Sequence, residues 1–236
     1  MTTMLPWLAA WMPTLAWTAA TAVAYLAGLW LYRRSGLRMW ALPVLSGTAI
    51  VLVMLALTGT AYPVYAEATR ALRWLAGPAT IALAVPLYRQ AAQLRRLAVP
   101  LAGALAAGCV VTVAFSAGLA RLMGGSVEMA LSLAPKSATM PIAMAAAQRA
   151  GGIPSVAAMA VVVTGVLGGV LAVPIMRRLC IHDASVQAFT LGLTAHAIGV
   201  VRTLQTRPEA VAFAALAMSA NGLATALAMA VLSRWS

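Results

Sequence analysis

Apolar residues run along this chain in long stretches, with polar residues gathered between them. Eight stretches can be drawn, at about 5–32, 39–59, 77–88, 98–120, 126–148, 153–176, 184–201 and 208–233. A bilayer core about 30 Å thick is crossed by roughly 20 apolar residues in helix. Stretches 98–120, 153–176 and 208–233 are therefore predicted to be plain membrane helices. Three others are interrupted. Stretch 77–88 is short and holds Pro78 and Pro86, and 126–148 is split by Pro135 and Pro141. Stretch 184–201 mixes Thr190, Gly192, Thr194, His196 and Gly199 among its apolar residues. Proline removes a backbone donor and clashes with the preceding turn. Carbonyls freed this way in lipid must find partners inside the protein. These three segments are expected to be discontinuous or re-entrant. Tyr62 to Trp74, with Glu67 and Arg70, is amphipathic and is expected to lie flat at the interface.

The pattern predicts an all-α integral membrane protein of about seven or eight segments, in one multi-pass domain over 1–236. Stretches 39–59, 77–88 and 98–120 read long–broken–long, as do 153–176, 184–201 and 208–233. If the two triplets run in opposite directions, they are inverted repeats, with halves at about 39–122 and 153–234.

Composition sharpens this picture. The chain is 63% hydrophobic and only 8% charged, against about 25% charged in soluble domains. It cannot cover a water-facing surface of its own, so its first partner is the lipid bilayer. The net charge of +12 does not point to nucleic acid. Its arginines fall between apolar runs, as Arg33, Arg34 and Arg38, then Arg89, Arg95 and Arg96, then Arg177 and Arg178. The positive-inside rule puts these loops in the cytoplasm and the N-terminus outside, provided that 126–148 enters and leaves on the outer side. The first stretch is too long for a signal-peptide core and ends in Tyr32-Arg33-Arg34, a stop-transfer pattern. Cys109 and Cys180 lack metal-ligand spacing, and no metal or cofactor is expected. No nucleophile-elbow, zinc-protease or phosphate-loop motif is present, so no enzyme is expected.

One run carries unusual chemistry: Pro135-Lys136-Ser137-Ala138-Thr139-Met140-Pro141. A charge at bilayer depth costs about 2.5–3.5 kcal/mol on insertion scales and usually marks function. Lys136 can offer its ammonium to a small carboxylate anion, with the Ser137 and Thr139 hydroxyls and a half-helix N-terminus completing the site. Alternatively it snorkels to the interface. His196 reads as a substrate donor, a proton carrier or a satisfied core residue. Arg202 reads as an anion ligand or a span-end arginine. Asn221 belongs to a polar notch with Ser219 and Gly222, for helix contact or for substrate. Gly165 and Gly169 form a small-residue seam for close helix packing.

These residues resemble a known family. Pro135-Lys136-Ser137-x-Thr139-x-Pro141-Ile142-Ala143 is similar to the P-K-S-x-T-x-P-I-A core of the LrgB/CidB family. Gly151-Gly152-Ile153-Pro154, Thr164-Gly165-x-Leu167-Gly168, Ala195-His196-Ala197-Ile198-Gly199 and Asn221-Gly222 follow in the family's order. Met140, Val200-Val201 and Ser46-Gly47 depart from its usual residues. The resemblance implies a multi-pass protein of the bacterial cytoplasmic (inner) membrane, with an LrgA-like membrane partner. It implies either an antiholin-like modulator of murein hydrolase export and lysis, or a carrier of glycolate, glycerate or pyruvate-like monocarboxylates. Its motif positions here are Pro135, Lys136, Ser137, Thr139, Pro141, His196, Gly199 and Asn221. A homo-oligomer is expected.

Overall fold

In the computed structural model the described residues, 4–36 and 41–233, are almost wholly helical, and none of them is in a strand. Arg38 lies outside them. Internal contacts divide the chain into two compact units, 1–82 and 83–236.

The first unit holds α1 (Met4–Arg34), α2 (Pro43–Thr58), α3 (Tyr62–Ala68) and α4 (Arg70–Ala82). Helices α1 and α2 pack around Ala24, Val51 and Leu55, with Trp17 and Tyr65 against them. Gly59, at φ 63°, ends α2, and α3 leaves it at 119°. The amphipathic run from Tyr62 therefore forms α3 and the start of α4, joined at Thr69. An exposed ion pair links Glu67 to Arg70 at 3.0 Å. Pro78 lies inside α4.

The second unit begins with α5 (Ala84–Arg89), which contains Pro86, and α6 (Ala91–Arg96). There follow α7 (Ala98–Leu122), α8 (Val127–Leu133), α9 (Met140–Arg149), α10 (Pro154–Arg178), α11 (Ala184–Thr206) and α12 (Val211–Leu232). At 1.5 Å per residue, the 25 residues of α7 or of α10 reach about 37 Å, enough to cross a bilayer. Their outward faces are apolar, with Phe115 and Leu122 among the exposed residues. The core lies around α11 and α12, where Ala188, Phe189, Val200, Phe213, Ala214 and Met218 are buried together.

By length and composition five helices, or six with the bent α2–α3 pair, can cross a membrane among the described residues. That is fewer than the eight apolar stretches, because 77–88 is divided between α4 and α5 and 126–148 between α8 and α9. Helices α8 and α9 hold 7 and 10 residues, too short to cross alone. After α9 the chain returns to α8, where the Ile153 N–H donates to Ser132 Oγ at 2.7 Å. Stretch 126–148 is thus a helical hairpin entered and left at one end.

Helix α11 is long enough to cross, yet it too is a hairpin. At His196 the backbone leaves helical geometry, with φ 39° and ψ −122°. Beyond that point the two arms lie together. A Cβ on Gly199 would fall 2.0 Å from the Leu191 carbonyl oxygen, and Arg207 donates to the His182 carbonyl at 3.5 Å. Residues eight apart in a straight helix are separated by about 12 Å of rise.

The second unit therefore alternates crossing helices with hairpins. Cys109 of α7 meets Thr225 of α12, and Val113 shares a cluster with Met229, so α7 and α12 run parallel. Helix α10 runs the other way, from the base of the first hairpin to that of the second. The hairpins enter from opposite ends.

Candidate functional site

The first hairpin's tip is built by its prolines. Pro135 is buried in the turn after α8, and Pro141 stands in the first turn of α9. Thr139 is the N-cap of α9 in extended geometry, and its side chain makes no capping bond. The N–H groups of that first turn are left without helical partners. Between the prolines, Lys136 is half-buried. Its Nζ donates to Ser116 Oγ of α7 at 2.5 Å, and Ser116 Oγ donates to the Thr112 carbonyl at 2.5 Å. No carboxylate pairs with Lys136 among the described residues. Ser116 lies about 9 Å inside the end of α7 at Leu122, so the ammonium is well below the helix end.

The second hairpin's tip is His196, which is buried. Its Nε2 lies 3.1 Å from the Val161 carbonyl of α10. A carbonyl only accepts, so this nitrogen carries the proton. The ring passes over Gly165, where a Cβ would sit 2.4 Å from Cε1. The glycine seam of α10 thus makes room for an imidazole. Further along, the Gly169 carbonyl accepts from Arg202.

Asn221 joins the two tips. It stands at the middle of the 22-residue α12 and is 1% exposed. Its Nδ2 donates to the Ser137 carbonyl at 2.9 Å and to the Leu193 carbonyl at 3.3 Å. Leu193 lies one turn before Ala197, the residue that would bond its carbonyl in an unbroken helix; the break at His196 frees it. One amide thereby serves a loosened carbonyl from each hairpin. Because both partners are acceptors, Nδ2 must face them, and Oδ1 points elsewhere. Asn221 Oδ1 and Ser137 Oγ are both buried without a hydrogen-bond partner.

Of the residues singled out from the sequence, Lys136, Ser137, Thr139, Pro135 and Pro141 form the first tip. His196 forms the second, and Asn221 touches both. Gly199 lies three residues beyond the break, where the arms touch. Pro78 and Pro86 belong to α4 and α5. Arg202 is away from the tips: its contact at Gly169 is about 12 Å along α10 from Val161. The pattern did not reveal Ser116. Its only signal was a hydroxyl one turn after Thr112 on an apolar helix.

These residues build a polytopic membrane protein with two opposed helical hairpins meeting tip to tip beside a half-buried lysine. The chain belongs to the LrgB-like family, whose model matches residues 21–235. It is 31% identical over 199 residues to the uncharacterized protein YxaC of Bacillus subtilis, covering 84% of this chain and 86% of that one. An uncharacterized Haemophilus influenzae protein is 29% identical over 76% of this chain and 78% of its own. Antiholin-like protein LrgB of Bacillus mycoides is 25% identical over 86% of this chain and 88% of its own. No solved structure matches.

Proposed function

We propose that the chain carries small organic monocarboxylates across the bacterial cytoplasmic membrane, binding each one where the hairpin tips meet. The observation that carries this reading is the Lys136 ammonium, uncompensated by any described carboxylate and next in sequence to Ser137, whose buried hydroxyl has no partner. A buried polar group without a partner costs about 1–3 kcal/mol. A ligand that satisfies several such groups recovers those costs on binding.

The substrate carboxylate sits between Lys136 Nζ and the first-turn N–H groups of α9, where the helix dipole also favours negative charge. Ser137 Oγ donates to it. Asn221 Oδ1 only accepts, so it selects a substrate with a hydroxyl, as in glycolate, glycerate or lactate. His196 has spent its Nε2 proton on Val161 and acts by holding the second tip in place. Withdrawing one hairpin opens the site to one side while the other stays shut. The arginine-rich end of α10 faces the cytoplasm, and the N-terminus lies outside.

Uptake into proteoliposomes of glycolate, glycerate, lactate and pyruvate tests this. Uptake by the wild type and its loss by more than tenfold in Lys136→Ala are expected. No uptake of any of the four, or full uptake by Lys136→Ala, sinks the reading.

The relatives named antiholin-like protein LrgB favour a second reading. There the chain assembles with itself and with an LrgA-like partner to modulate murein hydrolase export and lysis. A gene deletion that alters autolysis while acid uptake stays unchanged would select it.

A further inference from the structure

Arg202 falls outside the site at the tips, and what surrounds it suggests a different one. A cavity of about 80 Å3 lies between the end of α10 and the base of the second hairpin. Three arginines are among its lining residues, Arg177, Arg202 and Arg207. They are graded in depth. Arg177 is exposed, Arg207 is half-buried and Arg202 is 8% exposed. The bond from Arg202 to the Gly169 carbonyl fixes the deepest of the three.

Among the described residues neither Arg177 nor Arg207 has a carboxylate within ion-pair distance. The nearest acidic residues in sequence are Asp183 and Glu209. Asp183 caps α11 by accepting from the Val186 N–H at 2.9 Å. The other polar groups are committed too. Thr203 and Thr206 donate to helix carbonyls, and Gln187 donates to the Ile181 carbonyl. Arg207 gives one N–H to the His182 carbonyl, and the remaining N–H groups of Arg177 and Arg207 are left to recognise a ligand. Their planar forks match a carboxylate in bidentate geometry. The cavity has room for a small anion.

We propose that the base of the second hairpin is a separate anion site, in which Arg177 and Arg207 hold a small free carboxylate about 12 Å short of the tips, with Arg202 fixed behind them. In a carrier it is a capture station at one mouth of the pathway. That role rests on the transport reading, but the binding does not.

The test is calorimetric titration of the full chain with glycolate, in nanodiscs of phosphatidylcholine and in nanodiscs containing phosphatidylglycerol. The wild type is expected to bind two glycolates per chain. Arg177→Gln/Arg207→Gln is expected to lose one of them, or to weaken it at least tenfold. Lys136→Ala is expected to lose the other. A double variant that binds glycolate as the wild type does overturns the proposal. So does loss of the arginine-dependent event in phosphatidylglycerol, which assigns the cavity to a lipid phosphate. If Lys136→Ala binds like the wild type while the arginine variant loses an event, the tip site falls and this one stands. Each variant's thermal unfolding is measured alongside. If the arginine variant is misfolded, Arg207→Gln alone, a partial change at the rim, must still weaken one event.

Discussion

Asn221 donates its side-chain amide to the Ser137 backbone carbonyl at 2.9 Å, tying the last crossing helix to the tip of the first hairpin. The same nitrogen reaches Leu193 in the second hairpin. Replacing it by alanine leaves two loosened carbonyls without this donor. At about 1–3 kcal/mol for each unsatisfied group, Asn221→Ala should lower the unfolding temperature in detergent by several degrees. Asn221→Asp should do at least as badly, because an ionised carboxylate cannot donate. An unchanged melting temperature in both would mean that the amide is not what joins the tips.

Gly165 should be intolerant of a methyl group. A Cβ there meets the His196 ring at 2.4 Å, and overpacking costs about 1–3 kcal/mol. Removing the ring relieves the clash. Gly165→Ala/His196→Ala should therefore be more stable than the sum of the single variants by at least about 0.5 kcal/mol. A double-mutant cycle on denaturation midpoints reads the coupling, and additive losses would contradict the contact.

Ser116 orients the lysine that the proposed transport depends on. Hydrogen bonds to charged groups contribute about 1.5–3 kcal/mol. Ser116→Ala should cut uptake about tenfold or more, while Ser116→Thr, which keeps the hydroxyl, should retain most of it. Equal uptake by wild type and the alanine variant would remove Ser116 from the site.

The hairpins make a labelling prediction that a through-spanning topology does not share. In a background of Cys109→Ala and Cys180→Ser, cysteines at Glu128 and Arg149 should react with an impermeant maleimide from one side of the membrane. Cysteines at Asp183 and Arg207 should react from the other side. If 128 and 149, or 183 and 207, label from opposite sides, that hairpin is a crossing helix.

The acceptor-only Asn221 Oδ1 should be legible in competition assays. Glycolate should outcompete acetate, which lacks the hydroxyl, by about threefold to tenfold, as one hydrogen bond of roughly 0.5–1.5 kcal/mol implies. In Asn221→Ala the two acids should compete alike.

The sequence pattern foretold an all-helical membrane protein and, from Pro135 and Pro141, the break that exposes Lys136. For 184–201 it predicted a discontinuous or re-entrant segment without choosing between the two. A helix folded in half has the same composition and the same apolar periodicity as one that passes straight through, so only long-range contacts separate them. The glycines at 192 and 199 did hint at close approach. Gly192 packs against the Ala214 carbonyl and Gly199 against the Leu191 carbonyl. The break itself fell on His196, whose positive φ a non-glycine residue seldom adopts. From the sequence Arg202 reads as an anion ligand or a span-end arginine. The fold-back carries it toward the hairpin's base, because a hairpin reverses depth where a helix would continue it.

The position of Asn221 late in the chain also bears on how the molecule is made. The Ser137 carbonyl leaves the ribosome 84 residues before its donor, the Asn221 amide, and the second hairpin also precedes that donor. Until α12 is synthesised, both tips lack their shared donor, so neither hairpin can settle at its final depth early in insertion. Nascent chains arrested before α12 should hold both loops near the translocon or the headgroups. Helix α12 is the latch of the assembly, because it follows both hairpins and supplies the donor that they share.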